Sequence, residues 1–241
     1  GAVQSFTLAE LQGMDAGSHK AAKFAGERIP TLAEVLDLFV GPKNWGRTRL
    51  LIELKFRWGG CSLIREYDGL AQRVVQLIQE KAAHGLVAVQ SFVSSYLKTI
   101  YDLDPGIRTQ LLLLGLSSAS SVLSRSNEHV KGCNPPILGL SPSFVTVMQK
   151  HQKSVYVWTA NSEAEIKRCM QCQVQGVITD DPARAKAVIE EYSSRSLAHS
   201  HAPVRFDALT CFAFAVTTWH STWHVLTLAM LAVVLYVPAP E

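Results

Sequence analysis

Glu53 and Lys55 stand two residues apart inside the run Leu50-Leu51-Ile52-Glu53-Leu54-Lys55-Phe56, a carboxylate and an ammonium with apolar neighbours on every side. Read as a strand, the run alternates between faces, so Leu51, Glu53 and Lys55 point one way while Ile52, Leu54 and Phe56 point the other. Withdrawing two charges from water is costly, and the cost is tolerated when the pair serves a metal, an anion or each other. Two readings therefore stand level: Glu53 binds a cation and Lys55 a phosphate, or the two form a satisfied ion pair or a wetted edge.

Other reactive types cluster less persuasively. Cys169-Met170-Gln171-Cys172 has the spacing of a zinc knuckle or redox pair. It falls late in a predicted helix, with no second pair and no helix N-terminus to activate a thiol, so a structural role is expected. His199-Ser200-His201 reads as a solvated linker pair.

The elements that must position Glu53 and Lys55 follow from the pattern along the chain. The 241 residues are 48% hydrophobic and 18% charged, enough for one large domain or two small ones with a real core. A formal charge of +3 with no Lys/Arg run argues against nucleic acid as a partner. Five cysteines, Cys61, Cys133, Cys169, Cys172 and Cys211, are odd in number and irregular in spacing, which suits a reducing compartment.

Thr31 and Glu34 have capping-box spacing after Pro30 and predict a helix start. A long helix is predicted over 64–84 and a strand over 86–92, then a helix over 94–103 and a strand over 110–114. A Ser-rich loop over 117–136 leads to a short apolar run, Ile137 to Leu140. Ser141-Pro142 opens a helix to about His151, strand 154–159 follows, and Ser162 with Glu165 caps the next helix. Strand 176–180 and a helix from Pro182 to about Tyr192 end the series.

Short β-branched runs separated by helices signify βαβ units and a parallel sheet with right-handed crossovers. About six such units suffice for an open doubly wound sheet but fall short of the eight that close a barrel. No glycine-rich phosphate loop follows a strand, which argues against a nucleotide fold. In a barrel, Glu53 and Lys55 would project inward near the C-terminal mouth.

Five ordered landmarks carry a resemblance. Ile29-Pro30-Thr31-Leu32-Ala33-Glu34-Val35-Leu36, Ile52-Glu53-Leu54-Lys55, Gln90-Ser91-Phe92, Trp158-Thr159-Ala160-Asn161 and Gly176-Val177-Ile178-Thr179-Asp180 resemble those of the glycerophosphodiester phosphodiesterase family. The resemblance covers about 6–192. It implies a (β/α)₈ TIM barrel that hydrolyses glycerophosphodiesters, with lysophospholipid as a related substrate, to an alcohol and glycerol 3-phosphate using a divalent cation, Ca²⁺ or Mg²⁺. By that likeness Glu53 is a metal ligand. Lys55 sits beside the phosphate, and Trp158 is either a wall for the glycerol or head group or a core residue. Phe92 is expected in the core with Ser91 beside it, and Asn161 and Asp180 as loop or cap residues.

The departures are equally specific. The family's His-Arg-Gly motif, the acidic ligands after it and its His-Asp motif are absent, so the barrel is expected to be incomplete, lacking strands 1 and 2. Hydrolysis needs one group to accept a proton from the nucleophile and another to protonate the leaving alkoxide. His19, His84, His129 and His151 offer no replacement, and this chain alone is expected to turn over negligibly. A non-catalytic homologue that binds a phosphodiester or a protein is the alternative.

Domain boundaries are expected at 1–193 for the barrel, 194–207 for a linker and 208–241 for a hydrophobic tail. That tail has no Asp, Glu, Lys or Arg before its last residue and is a candidate transmembrane helix, though Thr217, His220 and His224 dilute it; a buried hairpin or a non-native extension is the alternative. Membrane association with a cytosolic barrel is the expectation, a cytoplasmic protein the alternative.

Overall fold

The computed structural model describes residues 5–41, 48–58, 64–65, 67–199, 210–216 and 232–235. In chain order the elements are α1 (Leu8–Gln12), α2 (Leu32–Val40), β1 (Thr48–Leu54), β2 (Arg57–Trp58), β3 (Ile64–Arg65), α3 (Leu70–Glu80), β4 (Val87–Ser91) and α4 (Ser94–Leu103). There follow β5 (Arg108–Leu112), α5 (Ala119–Arg125), β6 (Gly132–Asn134), α6 (Pro142–Lys150), β7 (Ser154–Val157), α7 (Glu163–Gln171), β8 (Gly176–Thr179) and α8 (Pro182–His199). Two strands of the apolar tail, β9 (Thr210–Val216) and β10 (Ala232–Leu235), complete the order.

Six parallel strands, β1-β4-β5-β6-β7-β8, curl into the wall of a barrel with helices outside, the arrangement the βαβ pattern predicts. Both edges of this six-stranded wall are paired. β9 runs parallel to β1 along its whole length, from Thr48 beside Thr210 to Leu54 beside Val216, and β10 lies antiparallel to both β8 and β9. Runs such as Phe-Ala-Phe-Ala-Val and Ala-Val-Val-Leu suit a pleated, half-buried surface. Where a spanning helix was expected over 208–241, the described parts are thus strands, and much of the segment lies outside the described residues. Among the described residues no helix is long and apolar enough to cross a membrane.

Hydrophobic burial lies between the sheet's outer face and the helices. Leu50, Ile52 and Leu54 of β1, with Val87 and Val89 of β4, pack on Val35, Leu36 and Phe39 of α2 and Val74, Val75 and Ile78 of α3. A second cluster unites Leu111, Cys133, Val155, Val157 and Val177 with Phe144 and Met148 of α6, Ile166, Cys169 and Met170 of α7 and Val188 and Ile189 of α8. Because alternate residues fill this layer, Leu51, Glu53, Gln90, Gln110 and Asn134 are left facing inward.

The caps are as expected. The Thr31 and Ser162 hydroxyls accept from the backbone N–H of Glu34 and Glu165, whose carboxylates bond back, and Ser141 caps α6 with Pro142 next. Three boundaries differ. α3 starts at Leu70, not near Ile64, because Gly69 before it takes φ +72°, outside a helix, while β2 and β3 form a small antiparallel pair. The Ser-rich stretch holds both α5 and β6, and within the short apolar run Ile137–Gly139 is a 3₁₀ turn. α8 continues to His199, through the start of the expected linker.

Candidate active site at the C-terminal mouth

β1 ends at Leu54 and its charged pair stands at that end. Lys55 Nζ lies 2.5 Å from Glu53 Oε1, with the lysine side chain 33% exposed and the glutamate 13%. Register places Glu53 beside Gln90 of β4. Gln90 Nε2 donates to Glu53 Oε2 at 3.4 Å, and Asn134 Nδ2 of β6 donates to Gln90 Oε1 at 2.7 Å. A relay of side chains therefore crosses the barrel interior from β6 to the carboxylate. Gln90 and Asn134 are both buried, and Asn134 Oδ1 has no hydrogen-bond partner among the described residues. Buried polar groups left unpaired are uncommon, and this one belongs to the same inward-facing relay as Glu53.

An aromatic wall stands at the same end of the barrel. Phe56 and Phe92 meet edge to face with centroids 5.9 Å apart, and Phe92 and Trp158 do the same at 5.9 Å. All three rings are half-buried. Trp158 follows β7 and its Nε1 donates to the Asn134 carbonyl at 2.7 Å, which fixes the indole plane. The wall joins the ends of β1, β4 and β7 at the face where Lys55 emerges.

Glu53, Lys55 and Trp158 are therefore drawn to one end of the barrel. Phe56 departs from expectation: the strand stops before it, so the ring escapes the outer layer and joins the mouth. Phe92 lies at the mouth rather than in the core. Ser91 is structural, its hydroxyl donating to the Leu54 carbonyl at 2.8 Å and accepting from Val93 N–H at 3.1 Å. Gln90 and Asn134 are the residues that sequence reasoning missed as site members. Gln90 was visible as a lone amide in an apolar strand, whereas Asn134 was hidden in a stretch read as loop.

The remaining candidates have other duties. Asn161 Oδ1 accepts from Asp180 N–H and Thr179 Oγ1, while its Nδ2 donates to Asp180 Oδ2 at 2.7 Å, so the two landmarks tie the ends of β7 and β8 together. Asp15 accepts from the N–H groups of Gly17, Ser18 and Gly26, and these bonds hold its carboxyl down to about 2. Cys169 and Cys172 are buried; desolvation pushes the Cys169 thiol up to about 12 and raises Cys172. Neither is poised to react.

His19 is exposed, and His151 Nδ1 bonds its own helix at Val147 O. His84 lines a cleft at the opposite end of the barrel with Arg49, Arg108 and Tyr156. His129 is buried against Ser94 Oγ, its pKa lowered by desolvation first and then by Lys98 and Lys153. His199 has its side chain, and His201, His220 and His224 lie altogether, outside the described residues.

A hard divalent cation takes about six oxygen ligands. Among the described residues no three His, Cys, Asp or Glu side chains converge. Glu53 is one carboxylate already paired with Lys55, so the described donors do not fit a cation cage.

The glycerophosphoryl diester phosphodiesterase family model matches residues 1–184. The chain belongs to this family. A glycerophosphodiester phosphodiesterase of Caldanaerobacter subterraneus is 30% identical over 183 residues, 76% of this chain and 70% of that protein. One of Bacillus subtilis is 28% identical, over 76% of this chain and 64% of that protein, so the chain spans about two thirds of the length of such relatives. Among solved structures, an Oleispira antarctica phosphodiesterase in complex with the product sn-glycerol-3-phosphate superposes with a TM-score of 0.65 at 21% identity, covering 79% of this chain and 73% of that one. A putative glycerophosphoryl diester phosphodiesterase of Agrobacterium tumefaciens gives a TM-score of 0.65 at 18% identity, over 80% and 74%. These two likenesses show the shared barrel fold, and the family model makes this chain a member of an enzyme family.

Proposed function

We propose that the mouth binds a glycerophosphodiester, with the phosphate against Lys55 and the glycerol or head group against Trp158 and Phe92. The observation that carries this reading is the Glu53–Lys55 pair at the C-terminal end of β1, at the same end of the barrel as the aromatic wall. Barrel enzymes work at this face, where a partly desolvated ammonium attracts an anion more strongly than it would in water. Lys55 acts as a point charge on the non-bridging oxygens. Glu53 and its amide relay hold Lys55 in place, and the indole and phenyl rings exclude water from one side of the ester.

In hydrolysis, water adds to phosphorus and the bond to the alcohol oxygen breaks. One proton leaves the water and another reaches the alkoxide, giving the alcohol and glycerol 3-phosphate. Neither Lys55 paired to Glu53 nor the rings supply that proton traffic, and the described histidines stand elsewhere. We propose accordingly that this chain alone binds the diester and turns it over negligibly. Glu53 is the single donor here that the family likeness assigns to a divalent cation, and no step is routed through one.

Calorimetric titration with glycerophosphocholine tests both halves. Binding that Lys55→Met weakens at least about tenfold, with no glycerol 3-phosphate released in the presence of Ca²⁺ or Mg²⁺, is the expected result. Binding unchanged by Lys55→Met would remove the site, and metal-dependent release of glycerol 3-phosphate would remove the claim of negligible turnover.

A further inference from the structure

The end of the barrel opposite the mouth holds a cleft of about 240 Å³ lined by Arg49, His84, Arg108 and Tyr156, with Ala88 and Gly106 between them. Strand geometry explains why two guanidiniums meet there. Arg49 shares a face of β1 with Leu51 and Glu53, and Arg108, at the start of β5, shares a face with the inward Gln110. Leu51 lies beside Ala88 and Ala88 beside Arg108, so β4 runs between the strands that carry the two arginines. The side chain of β4 at that level is a single methyl group, which leaves the space between them open. Gly85, in the turn before β4, keeps the approach clear, since a Cβ there would touch nothing within 4 Å. Tyr156 lays its ring against Gly176, where a Cβ would stand 2.7 Å from it, and supplies an apolar side.

Charge at this end is one-sided. The described residues that line the cleft include two arginines and a histidine and no Asp or Glu. Arg108 is exposed and makes no salt bridge with a described residue. Asp104, the acid nearest in sequence, is engaged in its own turn, where it accepts from Gly106 N–H at 3.0 Å and from Gln79 Nε2 at 3.4 Å. The cleft is also remote from the charged pair. Glu53 stands four residues beyond Arg49, about 13 Å along the strand, with the fully buried Leu51 between them.

Two like charges on one cleft repel each other, and an oxyanion between them relieves the repulsion while each planar fork offers paired N–H donors. The volume falls below the roughly 300–1,000 Å³ of pockets for larger organic ligands, which favours a compact occupant. We propose that this cleft is a second anion site, selective for a dianionic phosphate group, free or on a small monoester, held between Arg49 and Arg108 with His84 as a further donor. It is independent of the mouth, whose phosphodiester carries one negative charge.

The test titrates inorganic phosphate, in slightly alkaline buffer with EDTA, into the whole chain carrying Lys55→Met, which takes the mouth out of the measurement. One phosphate is expected to bind per chain. Adding Arg108→Gln should weaken it at least about tenfold, and Arg108→Lys should weaken it less, because the charge stays and the fork is lost. Arg125→Gln, at an exposed arginine of α5 that bonds the Ser121 carbonyl, should change it by less than about twofold. Phosphate should raise the urea midpoint of the Lys55→Met chain but not of its Arg108→Gln derivative, while the two midpoints without phosphate should coincide. Displacement by sn-glycerol 3-phosphate, or resistance to it, decides between a monoester and the free anion, and both support the site. No binding, binding that Arg108→Gln leaves unchanged, a loss as large in Arg125→Gln, or displacement by glycerophosphocholine at equal concentration would overturn the proposal.

Discussion

Replacing Glu53 with Gln should tighten the binding of a phosphate ligand in metal-free buffer, while Lys55→Met should weaken it. Glu53→Gln keeps the side chain's shape and its contact with Gln90 but removes a charge 2.5 Å from Lys55 Nζ. In the parent chain that carboxylate neutralises Lys55 and repels an incoming phosphate. Two unit charges about 5 Å apart interact by about 3 kcal/mol at an effective dielectric near 20. Since Lys55 is a third exposed, screening by water reduces this to about 1 kcal/mol, or about fivefold in affinity. Lys55→Met removes the attraction and strands Glu53, so it should cost more than tenfold, on the order of 1.4 kcal/mol or above. Titration with sn-glycerol 3-phosphate in EDTA, repeated at several salt concentrations, reads both effects. The dependence on ionic strength should flatten in Lys55→Met. If both substitutions change affinity in the same direction, the carboxylate and ammonium are not acting on the phosphate as opposed charges, and the electrostatic reasoning fails.

Further expectations concern the scaffold beneath the site. Gln90→Leu strips Asn134 of the side-chain partner it has among the described residues and should cost about 2–4 kcal/mol, whereas Asn134→Leu also deletes a carbonyl without a described partner and should cost about 1 kcal/mol or less; denaturant unfolding and a double-mutant cycle would show the asymmetry. Gly132→Ala should destabilise by about 2 kcal/mol or more, because its Cβ would stand 2.2 Å from both Gln110 Oε1 and Ser154 Oγ, which the Gln110–Ser154 hydrogen bond holds in place. His129, whose folded pKa is lowered chiefly by desolvation, must take up a proton on unfolding in mild acid. Its contribution is present above the unfolded value of about 6.5 and is lost as pH falls through the folded value, so the urea midpoint should drop on acidification and His129→Gln should flatten that drop.

Much of this was legible in the chain because local signals agreed with the global pattern. The Thr31, Ser141 and Ser162 caps fixed three helix starts, and alternation in β1 already placed Glu53 opposite Ile52 and Leu54. What escaped notice had weak local signal. β6 is Gly-Cys-Asn, too short and too polar to read as a strand, yet its place is set by Gln110 and Ser154 on either side. Losing β6 meant losing Asn134, and with it the relay that holds Glu53. Phe56 was assigned to the wrong face because the strand ends two residues earlier than its apolar run. The tail's apolar length suggested a spanning helix, but where it is described its register with β1 and β8 makes it part of the wall.

The central claim is about place: the phosphodiester lies at the C-terminal mouth. A crystal of this chain soaked with glycerophosphocholine should show the phosphate beside Lys55 Nζ, with the glycerol or choline against Trp158. Phosphate density at the other end of the barrel, between Arg49 and Arg108, with none at Lys55, would contradict it.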